Sequence, residues 1–255
     1  MKPFIVINAD DLGLDAATNQ IIFNAFEHRV ISSATLMANM PAFTEACTGV
    51  RERGLGGHVG LHFNLTYGRP LSRAIVAHSV FCNSQGEFDL GLSRSALRLP
   101  AGAAAAARQE LEAQWQHCVG HGVQPSHIDS HQHVHNLWPI AGIVARFAGE
   151  KGVPVRLARN VGANIGMLKK VFKTALNWRI RSLAAGHVRY VCTPRDLLDG
   201  LVPTGSIEVV AHPTETSPGE FGDDYLPLGQ SLARLLDQAL PGNERVPYGN
   251  FAKRR

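Results

Sequence analysis

The sequence predicts an α/β fold: a distorted (β/α) barrel of about seven parallel strands, with an open doubly wound sheet as the second choice. Two patterns carry this expectation. Short apolar runs rich in β-branched residues recur along the chain, and segments of helical length separate most of them, as in a parallel sheet with crossover helices. Polar and ionisable residues then gather just after several of these runs, where barrels and open sheets alike place their ligands.

The first strand is expected at 4–9 (FIVINA), an apolar run that ends at Asp10-Asp11. A helix over 15–29 follows, with Asp15 suited to cap its first turn. Strand 33–38 (SATLMA), helix 43–53 and strand 58–65 (HVGLHFNL) continue the alternation. The rhythm lapses over 66–101, whose Gly, Ser and Pro content reads as an excursion over the site. Alanines 103–107 open a helix to 121, because alanine is the best helix former. Strand 126–131 (SHIDSH), helix 139–151, strand 153–158 (VPVRLA), helix 165–185, strands 188–192 (VRYVC) and 207–212 (IEVVAH), and helix 229–240 complete the series. No repeat, linker or composition shift divides it, so residues 1–255 are expected to form a single domain.

Composition narrows the function classes. With 255 residues, 45% hydrophobic and 18% charged, and a mean hydropathy of −0.05, the chain is ordinary globular material with enough length for one large core. The opening MKPFIVINADD enters a strand directly, with no basic-then-apolar leader, and no 18-residue apolar run follows. The expectation is a cytoplasmic protein with no membrane span. Cys47, Cys82, Cys118 and Cys192 are scattered without a C-x-x-C, so they read as reduced packing residues. The pI near 9.0 accompanies a net charge of only +4, and the basic residues are dispersed apart from Lys169–Lys173 and the Lys253–Arg255 tail. Nucleic acid is therefore not an expected partner.

The strand exits hold the chemistry. Two carboxylates, Asp10 and Asp11, end the first strand; adjacent charges there repel unless a cation or proton intervenes. Neighbouring side chains on an extended strand point opposite ways, so both serve one site only if the strand bends. One metal ligand and one base fit better than two equivalent ligands, although an Asx turn or helix cap would also use an aspartate. His62 and Asn64 share a face of the third strand, where a core histidine and a turn asparagine are the plainer roles. The run PSHIDSHQHVHN, residues 125–136, places His127, Asp129, His131, His133 and His135 at every second position. If extended, these span roughly 26 Å, too far for one ion with ligands near 2.0–2.1 Å. Neighbours such as His131 and His133, about 6.6 Å apart at Cα if extended, could both chelate one ion; otherwise one binds metal while the others orient ligands or touch substrate. Arg156 between Val155 and Leu157 needs an anionic partner if it is buried, and Arg159 is its rival. His212 follows an apolar strand and precedes a proline.

ADDLG at 9–13, GLHFNLTYGRPLS at 60–72, HIDSHQHVH at 127–135, VRLA from 155 and AHP at 211–213 together resemble the YdjC-like carbohydrate deacetylases, a group with chitooligosaccharide and hopanoid-associated members. The pieces stand in family order over nearly the whole chain. The resemblance implies a polysaccharide-deacetylase-like distorted barrel that removes acetyl from an N-acetylated sugar with one divalent metal ion. Carried onto this chain, it implies Asp11, His62 and His131 as metal ligands, Asp10 as the base, Arg156 as its charge partner and His212 as the general acid. His133 stays an alternative to His131. Leu12 stands where the family has an aromatic, a change neutral for the chemistry. Two imidazoles tilt the metal toward Zn²⁺ and the resemblance tilts it toward Mg²⁺. Two other functions compete: a metal-dependent phosphoesterase or amidohydrolase on a similar barrel, and a non-catalytic sugar-binding barrel. The oligomeric state is open, with a homodimer admissible.

Overall fold

In the computed structural model, which describes residues 4–162, 166–202 and 204–252, six parallel strands form one sheet. They are β1 (Ile5–Leu12), β2 (Ser33–Leu36), β3 (Val59–Phe63), β4 (Ile128–Ser130), β5 (Tyr190–Cys192) and β6 (Ile207–Ala211). Their order is β4-β3-β2-β1-β6-β5. Chain order therefore runs around the sheet without the reversal that marks a doubly wound fold. Between the two edge strands lies the segment around Arg156. Arg156 N donates to Ile128 O, Val155 bridges Ile128, and Asn160 N donates to Val191 O. This irregular stave links β4 to β5, so the sheet is a distorted barrel. Residues 153–158, expected as a full strand, make only isolated bridges, Val155 with Ile128 and Pro154 with Gly186; Pro154 cannot donate a ladder hydrogen bond.

Helices α1 (Ala16–Glu27), α2 (Phe43–Glu52), α3 (Arg73–Val76), α4 (Ala103–Gly120), α5 (Trp138–Lys151), α6 (Met167–Leu183), α7 (Pro194–Leu198) and α8 (Leu232–Ala239) link or follow the strands. The expected boundaries hold to within a few residues, and Asp15 does cap α1, accepting from Thr18 N at 2.7 Å. A hairpin the sequence did not announce, β7 (Pro213–Ser217) with β8 (Glu220–Asp223), follows β6 directly.

Strand alternation sorts the side chains into two sets. Ile5, Ile7 and Ala9 of β1, Leu61 and Phe63 of β3, and Ile207, Val209 and Ala211 of β6 join the large core under the helices. The alternate positions face the barrel interior. There Val6 packs with Val188, Val246 and Tyr248 toward the strand N-termini. Further along come Asn8, Asp10, Thr35, His62, His127, Asp129 and Glu208, all buried. Gly60 belongs to this layer: a Cβ there would lie 2.5 Å from His127 Nδ1, so only glycine admits that ring.

The excursion over 66–101 is mostly loop, with α3 and a Cys82–Phe88 bridge inside it. Buried polar residues of α4 pin its start. The Glu110 carboxylate accepts from Leu71 N and Ser72 N at 3.0 and 2.7 Å, and Gln114 Nε2 donates to Asn64 O at 2.7 Å. Asn64 takes the plainer role named above: its Oδ1 accepts from Thr66 N and Tyr67 N and shapes the turn.

Candidate functional site

The bend that two adjacent aspartates require is present. Ala9 pairs with Ala34 and Leu12 with Leu36, so Asp10 and Asp11 together oppose the single residue Thr35. This is a β-bulge, and Asp11 takes its left-handed conformation at φ 70°. Asp10 continues the inward alternation, while Asp11 turns to the barrel mouth.

At that mouth Asp11 Oδ1 lies 3.0 Å from His62 Nε2 and 2.9 Å from His131 Nδ1. Ligand atoms of Asp11, His62 and His131 all lie within 4.8 Å of one another, near enough to share one ion. Two imidazole nitrogens and a carboxylate oxygen suit a divalent metal, and three protein donors leave positions for water and substrate. The donor set therefore fits the metal that the sequence motifs imply. His212 approaches from β6, with Nε2 3.7 Å from Asp11 Oδ2. Its backbone N donates to Asp223 Oδ2 of the unforeseen hairpin, and its ring meets Tyr225 edge-on at 5.3 Å. Asp223 is itself raised to about 6, mainly by burial.

Beneath the mouth, Arg156 is 1% exposed and held by three carboxylates. Its Nη1 and Nη2 reach the two oxygens of Asp10 at 2.7 Å each, Nη1 lies 2.8 Å from Asp129 Oδ2, and Nε lies 2.5 Å from Glu208 Oε1. Burial alone would weaken the arginine's charge, but the three acids hold it protonated. Burial likewise opposes ionisation of Asp10, and Arg156 overcomes it, so Asp10 stays below its ordinary value. Its rival Arg159 is committed elsewhere, to Asp196 of α7.

Asp129, which the sequence reading left without a role, joins both layers. Its Oδ1 takes His62 Nδ1 at 2.7 Å, and its Oδ2 accepts from Thr35 Oγ1 at 3.0 Å and meets Arg156. Burial disfavours a charged His62, yet Asp129 and Asp11 raise it to about 10. The His62 ring thus stands between two carboxylates, Nδ1 on one and Nε2 on the other. The signal was available in HIDSH, where Asp129 shares a strand face with His127, one layer below His131.

The histidine run divides by conformation. It is extended only through Ser130; a 3₁₀ turn, His131–Asn136, follows with Gln132 and His133 at φ 48° and 55°. The extended spacing therefore does not apply to His133 and His135. His127 is structural: Nε2 meets Asn8 Oδ1 at 2.9 Å and the ring stacks on Tyr248 at 4.3 Å. His135 Nδ1 pairs with Ser130 Oγ at 2.5 Å. Burial lowers both rings to about 3 and His133 to about 4, so all three are neutral near pH 7. His133 faces a different space, a cavity of about 780 Å³ also lined by Arg156, Tyr225 and, from the excursion, Leu90, Leu92 and Arg94.

Residues 4–239 match the family described as YdjC-like protein. A chitooligosaccharide deacetylase from Klebsiella pneumoniae is 32% identical over 88% of this chain and 87% of its own. A chitooligosaccharide deacetylase from Yersinia enterocolitica and a carbohydrate deacetylase from Geobacillus stearothermophilus are each 36% identical, over 66% and 62% of this chain. Those two matches span 64% and 61% of the relatives' own lengths, less than two thirds. A crystal structure from Enterococcus faecalis V583, of a protein proposed to cleave cellobiose phosphate, superposes with a TM-score of 0.72 at 19% identity. It covers 99% of this chain and all of that one, which establishes likeness of fold.

Proposed function

The chain belongs to the YdjC-like family, and from that premise we propose that it is a carbohydrate N-deacetylase, hydrolysing the acetamide of an N-acetylated sugar with one divalent metal ion. The observation that carries this reading is the convergence of Asp11, His62 and His131 within 4.8 Å, directly above a carboxylate gripped by a buried arginine. Relatives named as chitooligosaccharide and carbohydrate deacetylases support the substrate class. We take 1–255 as one catalytic domain, in keeping with a family match that runs almost end to end.

Asp11, His62 and His131 would hold the ion. Bound there, a divalent metal supplies Lewis-acid chemistry, polarising the acetamide carbonyl and lowering the pKa of water. The remaining work falls to the chain. Asp129 accepts the hydrogen bond of His62 Nδ1–H, which leaves Nε2 aimed at the ligand position. Asp10, kept ionised by Arg156, accepts the proton of the attacking water. His212, on the more open side of Asp11, gives a proton to the departing amine. The cavity beside His133 has the size of a small-ligand site and receives the sugar.

A second trio, Asp10, His62 and Asp129, is also compact. Arg156 already occupies its two carboxylates, so a second cation there would face a buried guanidinium. That geometry weighs against a two-metal phosphoesterase. The test is acetate release from a panel of N-acetylglucosamine compounds, with and without chelator. Release that stops on chelation and returns with one equivalent of metal is expected; undiminished release from metal-free protein would refute the proposal.

A further inference from the structure

Helix α6 turns an apolar face to solvent. Its inner side, Leu176, Asn177 and Ile180, is buried. On the opposite side Met167, Leu168, Val171 and Trp178 are 82, 88, 65 and 71% exposed. Met167, Val171, Ala175 and Trp178 recur at four-, four- and three-residue steps, so they form one stripe along the helix, with Leu168 at its border. A surface helix ordinarily presents polar residues there, its apolar stripe facing the core. Every charged residue of the helix is basic, Lys169, Lys170, Lys173, Arg179 and Arg181, with no acidic residue between Met167 and Leu183, and Thr174 and Ser182 are the neutral polar residues beside the stripe. Three of these cations donate to backbone carbonyls, of Arg159, Trp138 and Arg189, which leaves their charge uncompensated by those contacts.

We infer that α6 seats this protein on an anionic lipid surface, lying in the interface plane. The stripe from Met167 to Trp178 enters the headgroup boundary, and Lys170 and Arg181 flank it within reach of lipid phosphates. Charge selects this occupant. A second copy of the chain packed stripe to stripe would bring Lys170 and Arg181 of each copy together with no acidic residue on the helix between them, which like-charge repulsion opposes. Crossing the bilayer is not implied: no helix among the described residues is long and apolar enough to do so. The opposite side of the same helix gives the pose a consequence. Lys169, Phe172, Lys173 and Leu176 line the cavity beside His133, so docking through the stripe holds that cavity next to the lipid surface. The inference concerns the surface alone and stands whatever reaction the site performs.

The full chain should co-sediment with vesicles of phosphatidylcholine and phosphatidylglycerol, far less with phosphatidylcholine alone, and less as salt rises. Brominated acyl chains should quench its tryptophan fluorescence. Trp178→Phe should keep binding and lose most of that quenching, since Trp115 is buried and Trp138 half-buried. Lys170→Gln and Arg181→Gln should each weaken partitioning roughly fivefold, and Val171→Ser with Trp178→Ser should abolish it while circular dichroism stays unchanged. Absence of wild-type binding to anionic vesicles, or equal binding to neutral ones, overturns the inference without reference to any variant. So does a concentration-dependent dimer that Val171→Ser with Trp178→Ser dissolves, which would assign the stripe to a second copy.

Discussion

Asp10 and Asp11 are neighbours in sequence with opposite surroundings, and the bulge at φ 70° separates them. Asp10 is 3% exposed with both oxygens on Arg156, whereas Asp11 is partly open and faces two imidazoles. Their amide variants should therefore fail differently. Asp11→Asn removes the charge of a proposed ligand, so metal affinity and activity should fall together. Asp10→Asn removes the carboxylate proposed as base and should leave metal bound, with kcat down about 10²–10⁴-fold and KM little changed. Calorimetric metal titration beside steady-state kinetics separates them, and loss of metal from Asp10→Asn alone would reverse the assignment. Asp129 acts one shell further out. Asp129→Asn keeps the shape but not the charge that orients His62, and outer-shell changes of this kind cost about 10–100-fold in metal affinity. Rescue by excess metal would mark a positioning role. A loss of activity with full metal occupancy would instead place Asp129 in the proton-transfer step.

Among the elements, the strands were the most legible because a parallel strand buried on both faces writes itself as an apolar run. The inward polar residues were legible for the same reason: at every second position, Asn8 and Asp10, or His127 and Asp129, interrupt runs that otherwise join the core. The histidine run was readable only as far as Ser130. Beyond it, Gln132 and His133 at φ 48° and 55° kink the 3₁₀ segment through the left-handed region, and neither is the glycine that would advertise such a kink. The hairpin under His212 escaped for a different cause. PTETSPGEFGDD has Gly and Pro punctuation typical of a loop, and its pairing shifts register between Glu215 and Ser217. The excursion was recognised by composition, and Leu90, Leu92 and Arg94 do line the cavity. Shortening it within 77–95 should therefore change the preferred sugar more than the metal affinity. Competition between mono- and oligosaccharide substrates in a folded, metal-binding variant measures this, and unchanged selectivity would remove the excursion from substrate choice.

At the scale of the molecule, one guanidinium at the barrel's centre answers three buried carboxylates, from β1, β4 and β6. Such a knot is costly to desolvate, and removing one partner of a buried pair is worse than never having built it. The acids do not share the arginine equally. Asp10 and Asp129 are held below their ordinary values, while Glu208 is pushed up to about 7. Burial does most of this, and repulsion from Asp129 and Asp10 adds to it against the pull of Arg156. The sign for stability follows by linkage. Between its ordinary 4.5 and about 7, Glu208 holds its proton in the folded state and has lost it in the unfolded one, so its contribution falls as pH rises through that window. Buried neutral histidines such as His127 and His135 slope the other way below their ordinary 6.5, which makes the raw profile of the protein a poor reporter. The difference between wild type and Glu208→Gln isolates the carboxyl, because glutamine keeps the size and cannot ionise. The two proteins should melt at similar temperatures near pH 4.5, and the variant should gain relative to wild type up to about pH 7 and hold that gain above it. A variant that instead loses ground as pH rises would show that Arg156 stabilises an ionised Glu208, which would make the centre of the barrel a fully ionic knot.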